Sequence, residues 1–241
     1  MKSLKEMFIG EVVAEAVRRA PEGRAPRVMD LGCGSASYLP SLFNKYPDIE
    51  YVGVEPIKAS YDKAAAVVED LPNAQIHYQL GYDSVPNEVE GSFDLVFSLS
   101  VLEHVKHLDK FIALSAKYVK SGGMMVHRYD LGHALHSHSL KEKLHVIMGN
   151  HIPQVLPERQ FVRYVGVPEV EKCYTNNGVK KTKVTYHQMP NHKAFEKIVG
   201  SIEPVEELFA WEMEFQTDID QLPVKEKETL FPAVAVWGEK V

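Results

Sequence analysis

The sequence has 241 residues but only two cysteines, Cys33 and Cys173, and it has no long apolar run. Two distant cysteines give no disulfide framework, and their scarcity fits a reducing compartment. No stretch approaches the length of a membrane span, and residues 1–20 alternate charged with apolar residues, unlike the apolar core of a signal peptide. These absences predict a soluble cytoplasmic protein with no membrane partner.

Positive charge is also scarce, because 27 Lys and Arg stand against 33 Asp and Glu, for a net charge of -6. The one basic cluster is Lys180, Lys181 and Lys183. A nucleic-acid partner would need a positive patch that displaces counterions, so we expect a small-molecule partner instead. Hydrophobic residues make up 45% of the chain, the ordinary proportion for one globular core.

Apolar segments alternate with helical periodicities along the first half of the chain. This rhythm predicts a parallel sheet with right-handed crossovers and with helices on both faces. The predicted strands are residues 27–30, 50–54, 75–80, 93–99 and 124–129, and the predicted helices are residues 4–19, 36–46, 58–70 and 107–120.

The alternation stops after residue 130. Scattered His, Pro, Lys and aromatic residues in 131–190 predict an inserted substrate cap, with an ordinary packing excursion or a dimer contact as alternatives. Residues 191–200 predict a helix, and residues 205–215 and 231–237 predict an antiparallel hairpin at the sheet edge. The predicted domains are a core of residues 1–130 and 191–241 and a cap of residues 131–190, with a homodimer as a possible assembly.

The most informative segment is Asp30-Leu31-Gly32-Cys33-Gly34, in which a predicted strand enters a glycine turn before a helix. Glycine allows the backbone to approach a ligand closely, and the start of the helix offers free N–H groups. A dinucleotide fold would favour a third glycine where Ser37 stands, so we expect no bound pyrophosphate.

An acidic residue, Glu55, ends the second predicted strand. A carboxylate at this position can accept hydrogen bonds from both ribose hydroxyls of a nucleoside. A glycine turn alone is equally compatible with a tight strand–helix connection. Together, the turn and the acid on consecutive strands predict a nucleoside cofactor.

Four segments in this order resemble the motifs of class I S-adenosylmethionine-dependent methyltransferases. They are Asp30 to Gly34, Glu55, Gly91 to Ser98 with the following Val101-Leu102-Glu103-His104-Val105, and Lys120 to Gly123. The resemblance covers residues 28–130 and implies an α/β fold with a seven-stranded, mostly parallel Rossmann-like sheet, whose last strand is antiparallel.

The same resemblance implies S-adenosyl-L-methionine as cofactor and S-adenosyl-L-homocysteine as product. The implied cofactor-binding residues are Asp30, Gly32, Cys33, Gly34, Glu55, Pro56, Tyr82, Asp83, Ser98 and Leu99. Many family members carry an Asp shortly after the third strand that contacts adenine. Asp83 lies late for that role, so the adenine contact stays open among Gly81, Tyr82 and Asp83.

Histidines concentrate after the fourth strand, at His127, His133, His136, His138, His145 and His151. Histidine titrates near neutral pH and can act as a base. We predict His127 or His133 as general base, with Asp130 orienting one of them, although His127 also fits a core histidine. We expect no metal, because similar metal-dependent families carry a Glu where Ser100 stands.

The expected reaction is O-methylation of a small molecule, such as a sugar or natural-product hydroxyl. Two alternatives are N-methylation of a small molecule and a noncatalytic cofactor-binding subunit that supports a partner.

Overall fold

The structure, a computed structural model, describes residues 3–135, 140–151, 161–189, 192–199 and 203–241. The strands are β1 (Arg27–Leu31), β2 (Glu50–Glu55), β3 (Ala74–Tyr78), β4 (Phe93–Leu99), β5 (Val119–Asp130), β6 (Val179–His187) and β7 (Ala233–Lys240). They form a seven-stranded sheet in the order β3-β2-β1-β4-β5-β7-β6. β7 runs antiparallel to both of its neighbours, and the other pairs are parallel. The predicted fold class is therefore confirmed.

The helices connect these strands or cover their faces. They are α1 (Leu4–Arg19), α2 (Leu39–Lys45), α3 (Lys58–Val68), α4 (Leu108–Tyr118), α5 (Gly132–Leu135), α6 (Leu140–His151), α7 (Val167–Asn176), α8 (His192–Val199), α9 (Glu203–Glu214), α10 (Gln216–Gln221) and α11 (Val224–Leu230). A short 3-10 turn, Leu102–His104, follows β4. Within the described ranges, no helix has both the length and the apolarity needed to cross a membrane.

The sheet is buried between two hydrophobic layers. On one face, α1, α2 and α3 pack against side chains such as Val28, Phe97 and Val126. On the other face, α4 and α7 pack against side chains such as Met29 and Val96. Burial on both faces explains why these strands are almost uniformly apolar.

The first helix begins with a side-chain cap. The hydroxyl of Ser3 accepts a hydrogen bond of 3.3 Å from the backbone N–H of Glu6, and Ser-x-x-Glu is the spacing of a capping box. The apolar residues of α1 then recur on one face, with Phe8 and Val12 buried against the sheet. The first turn of α1 lies near the carboxyl ends of β1 and β4, where it lines a cavity together with Asp30 and Leu99.

Two predictions for the last third of the chain differ from the structure. Residues 205–215 were expected to form a strand, but Glu203–Glu214 is the helix α9. Val205 and Glu212 are buried and Leu208 is partly buried, which is a helical spacing, and the five glutamates of this segment favour a helix over a strand.

The antiparallel partner of β7 is consequently β6, not residues 205–215. β6 falls within residues 131–190, all of which were predicted to form a cap, so residues 179–187 belong to the core sheet instead. Three of its residues are lysines, which are typical of edge strands. A cap formed by the rest of this segment stays a prediction, and residues 136–139, 152–160 and 190 lie outside the described residues.

Candidate functional site

The glycine turn joins the carboxyl ends of β1 and β2. The backbone N–H groups of Gly32 and Cys33 donate to the carbonyl of Val54 at 2.7 and 3.1 Å. Gly32 and Gly34 have φ values of +87° and +61°, which favour glycine. A Cβ on Gly34 would meet no atom within 4 Å, so this part of the turn faces open space that a ligand can occupy.

Glu55 holds this turn with its buried carboxylate. One oxygen accepts from the Gly34 N–H at 2.8 Å, and the other accepts from the Ile57 N–H at 2.9 Å. The residue is only 4% exposed, so its carboxylate is buried against the turn and is not directed toward bulk solvent. A carboxylate has about four acceptor positions, and the two backbone bonds leave about two for ligand hydroxyls.

A cavity of about 530 Å³ opens on the β2 and β3 side of the turn. We call it the larger cavity. Its lining is mostly apolar and consists of Leu31, Gly32, Val54, Pro56, Ile57, Gln79, Leu80, Gly81, Tyr82, Val101, His104, Val105, Phe111 and Leu114. This volume and character suit a flat, largely apolar ring system.

The three residues considered for the adenine contact differ in whether they line the larger cavity. Gly81 and Tyr82 line the larger cavity, and Tyr82 packs against the ring of His107. Asp83 is exposed and lines a different surface depression beside Lys110. The geometry therefore favours Tyr82 over Asp83.

A second cavity, of about 170 Å³, opens on the α1 side of the same turn. We call it the smaller cavity. Its lining is Ser3, Lys5, Glu6 and Ile9 of α1, together with Asp30, Gly32, Cys33, Gly34, Ser35, Ala36, Ser37, Tyr38 and Leu99. Gly32 lines both cavities, so one extended ligand can cross the turn and occupy both.

Asp30 gives the smaller cavity a carboxylate. Its Oδ2 accepts from the hydroxyls of Tyr38 and Tyr51, whereas its Oδ1 is buried and has no hydrogen-bond partner in the structure. Burial raises the pKa of Asp30 to about 6. A cationic ligand group placed here would satisfy the free oxygen and favour the ionised carboxyl.

The predicted cofactor residues Cys33, Ser98 and Leu99 have different surroundings. Cys33 and Leu99 line the smaller cavity, and burial raises the pKa of the Cys33 thiol, so the thiol is unreactive. Ser98 is fully buried in β4 and bonds to the ring of His127, with 2.8 Å between Oγ and Nδ1. The side chain of Ser98 therefore faces the core of the sheet, away from both cavities.

The structure argues against His127 as a general base. The ring is wholly buried in β5 and lies between the rings of Phe111 and Tyr174, with centroid distances of 5.6 and 5.9 Å. Burial lowers the pKa of His127 to about 3, and it lines neither cavity. An acceptor cannot reach this ring without displacing the core, so His127 is a core histidine.

Asp130 does not orient His127 either. Its Oδ1 accepts from the Gly132 N–H at 2.6 Å, and its own N–H donates to Glu103 Oε1 at 3.1 Å. Asp130 thus fixes the turn from β5 into α5, the helix that contains His133. The side chain of His133, like residues His136 and His138, lies outside what the structure describes.

Three charged residues that are not among the predicted site residues lie near the smaller cavity. Glu103 is fully buried, its Oε2 has no hydrogen-bond partner, and burial raises its pKa to about 8. Arg128 is 2% exposed and packs over the Phe8 ring at 5.2 Å, and burial lowers its pKa to about 10. Lys5 lines the cavity and interacts electrostatically with Arg128, Asp30 and Glu103.

Local sequence patterns do not show that these three residues lie close together, because their proximity depends on the packing of α1 against the carboxyl ends of β4 and β5. Among the residues that the structure describes, no group of three or more His, Cys, Asp or Glu side chains is arranged to hold a metal ion. The absence of a metal therefore stays a prediction.

Comparisons with known proteins agree with this geometry. Residues 5–167 match the family described as a methyltransferase domain. The chain is 28% identical over 120 residues to a trans-aconitate 2-methyltransferase of Deinococcus radiodurans, a match that covers 50% of this chain and 44% of that protein. It is 25% identical over 190 residues to a ubiquinone biosynthesis O-methyltransferase of Agrobacterium fabrum, covering 75% of this chain and 72% of that protein.

Solved structures share the fold at low sequence identity. A geranyl diphosphate methyltransferase in complex with GPP and sinefungin superposes with a TM-score of 0.62 at 14% identity, covering 98% of this chain and 78% of that one. A geranyl diphosphate C-methyltransferase of Streptomyces coelicolor, bound to S-adenosyl-L-homocysteine, gives a TM-score of 0.61 at 13% identity, covering 98% and 77%.

Proposed function

The chain belongs to the class I S-adenosylmethionine-dependent methyltransferases and uses S-adenosylmethionine, and we propose that it methylates an oxygen atom of a small molecule. The proposal depends on the placement of the cofactor, and the pair of cavities that meet at Gly32 supports that placement. The larger cavity fits an adenosine and the smaller cavity fits an amino-acid end, so the sulfonium between them would lie over the turn.

Each end of the cofactor has complementary residues. Glu55 would accept from the ribose hydroxyls with the acceptor positions that its two backbone bonds leave free. Pro56 and Tyr82 would contact the adenine ring from the wall of the larger cavity. The unpartnered Oδ1 of Asp30 would accept from the ammonium group.

The cofactor supplies an activated methyl group, and the protein must position the acceptor and exclude water. The carboxyl end of β4 borders the site at Leu99, and β5 pairs with β4 at this position. Glu103 and Asp130 tie these two ends together through a hydrogen bond. With His127 enclosed in the core, His133 on α5 is the remaining sequence candidate for the base that takes the hydroxyl proton.

Two observations support a small-molecule oxygen acceptor. The net charge of -6 disfavours a polyanionic nucleic acid. In addition, several of the matched relatives are named ubiquinone biosynthesis O-methyltransferases.

The test begins with calorimetric titration of S-adenosylhomocysteine. A panel of phenols, alcohols, carboxylic acids, amines and a transfer RNA is then assayed with S-adenosylmethionine, and turnover is measured as release of S-adenosylhomocysteine. We expect product only with oxygen acceptors. Turnover of amines or RNA alone would reject the proposal. For the base, His133→Gln should lower turnover at least about tenfold, and His127→Gln serves as the matched control.

A further inference from the structure

The carboxyl end of β5 contains a buried arginine whose hydrogen-bonding edge has no protein partner. Arg128 is 2% exposed, and its Nε and Nη2 find no acceptor among the described residues. These two N–H groups lie on the same edge of the planar guanidinium, the edge that binds a carboxylate through two parallel hydrogen bonds. Buried charged donors without acceptors are costly, so this edge points to a ligand.

The acids around Arg128 do not pair with this edge. Four carboxyl groups attract the guanidinium, but it forms no ion pair in the part of the chain that the structure describes. They belong to Glu212, Asp130, Glu103 and Glu196. The Oε1 of Glu212, the strongest of the four, accepts from the Gln188 N–H at 2.9 Å, and its Oε2 lies 3.7 Å from His187 Nδ1. The Glu212 carboxylate is thus held by other groups.

Arg128 lies beside the smaller cavity, on the face of the sheet that α1 covers. In the pairing of β4 with β5 it lies opposite Leu99, which lines that cavity. Opposite residues of paired strands share one face of the sheet, and Leu99 packs on the same face as Phe8. The Phe8 ring centroid is 5.2 Å from Arg128 Cζ. A ligand group bound to Arg128 would therefore lie next to the cavity that adjoins the glycine turn.

The charges near Arg128 are compatible with a bound anion at neutral pH. Burial lowers the pKa of Arg128 only to about 10, so the guanidinium remains charged. Burial raises the pKa of Glu103 to about 8, so this carboxyl is neutral and can donate a hydrogen bond. Lys5 and Arg128 repel each other, and an anion between the two cations would reduce that repulsion.

We propose that Arg128 binds a carboxylate of the methyl acceptor and thereby selects carboxylate-bearing small molecules as substrates. The inference rests on the proposed function, because it takes the cofactor to occupy the two cavities that meet at Gly32. Arg128 holds the acceptor in place and takes no part in proton transfer.

The test compares carboxylates with carboxamides of nearly the same shape. Acetate, succinate and benzoate, and separately acetamide, succinamide and benzamide, are titrated by calorimetry into the full chain saturated with S-adenosylhomocysteine. The amide NH₂ group is a donor and would face an N–H of Arg128. At least one carboxylate should bind roughly tenfold to a hundredfold more tightly than its amide, the range for hydrogen bonds to charged groups.

Arg128→Lys keeps the positive charge among the acids and removes the planar edge. It should reduce the preference for the carboxylate to less than about threefold, because an ammonium cannot form the paired hydrogen bonds. Its affinity for S-adenosylhomocysteine should equal that of the wild type. Arg163→Lys is the matched control, since the Arg163 guanidinium is already paired with Glu169 at 3.0 and 2.8 Å. This control should keep the wild-type preference.

Equal binding of carboxylates and amides by the wild type, or binding of neither, overturns the inference whether or not the variant folds. An unchanged preference in Arg128→Lys also overturns it, as does weaker binding of S-adenosylhomocysteine, because the edge would then serve the cofactor. Failure of the wild type to bind S-adenosylhomocysteine is a different result. It rejects the cofactor placement, and the same titrations of the free chain still test Arg128.

Discussion

Replacing Glu55 by Gln tests the hydrogen bonds that join the glycine turn to the cofactor. The carboxylate accepts from Gly34 N at 2.8 Å and from Ile57 N at 2.9 Å. Glutamine has a single accepting oxygen, so one of these backbone donors would face an amide NH₂ group. A buried donor without a partner costs about 1–3 kcal/mol, and the free energy of unfolding should fall by that amount.

Cofactor affinity should fall as well, since the amide keeps fewer acceptor positions for the ribose and has no charge. Loss of one charge-assisted hydrogen bond costs about 1.5–3 kcal/mol, which is roughly a tenfold to a hundredfold increase in Kd. The assay is calorimetric titration with S-adenosylhomocysteine, paired with chemical denaturation to show that the variant is folded at the titration temperature.

Glu50→Gln provides the control from the opposite end of β2. Its side chain is 56% exposed and pairs with Arg27 at 2.9 Å, far from the glycine turn. This variant should bind S-adenosylhomocysteine within about twofold of wild type, because exposed ion pairs contribute little. A folded Glu55→Gln variant with wild-type affinity would refute the assignment of Glu55 to the ribose.

Three further predictions concern buried groups. His127→Gln should retain turnover. Because burial lowers the pKa of His127 to about 3, the free energy of unfolding of the wild type should fall by up to about 1.4 kcal/mol per pH unit as pH drops below 6.5. In denaturation experiments the variant should lack this pH-dependent contribution. Loss of turnover, or a pH dependence of stability equal to that of the wild type, would contradict the assignment of His127 to the core. Burial raises the pKa of Glu103 from 4.5 to about 8, so its contribution to stability is present below pH 4.5 and is lost as pH rises toward 8. The free energy of unfolding of Glu103→Gln should therefore change less with pH over this range. A dependence as steep as that of the wild type would contradict the conclusion that burial raises the pKa of Glu103. Tyr38→Phe removes a hydroxyl that donates to Asp30, so the pKa of Asp30 should rise above about 6. The decline of S-adenosylhomocysteine affinity at acidic pH should then shift to higher pH in titrations across pH, and an unshifted decline would exclude Asp30 as the ammonium acceptor.

The parts of the site that the sequence predicted depend on local chemistry. A glycine turn needs positive φ at Gly32 and Gly34, and an acid that ends the neighbouring strand must lie beside it in a parallel sheet. Both features are determined within a few residues, so their spacing in the sequence is sufficient. The parallel arrangement of the first five strands follows from the same local alternation.

The features that the sequence analysis missed depend on distant contacts. His127 was a candidate base because its strand ends near the site, yet the ring is enclosed by Tyr174 of α7, which the local pattern could not reveal. Lys5 was missed because only the packing of α1 over β4 and β5 brings it to the cavity. The helix α9 was predicted as a strand because the apolar residues of a short segment fit both periods.

The position of β7 between β5 and β6 has a consequence for synthesis of the chain. β6 leaves the ribosome before β7, but it has no strand to pair with until β7 follows. Until then, β5 also presents an unpaired edge in a strand that is mostly buried in the finished protein. Exposed apolar edges promote aggregation, so a nascent chain stalled before residue 233 should depend on chaperones far more than the completed one.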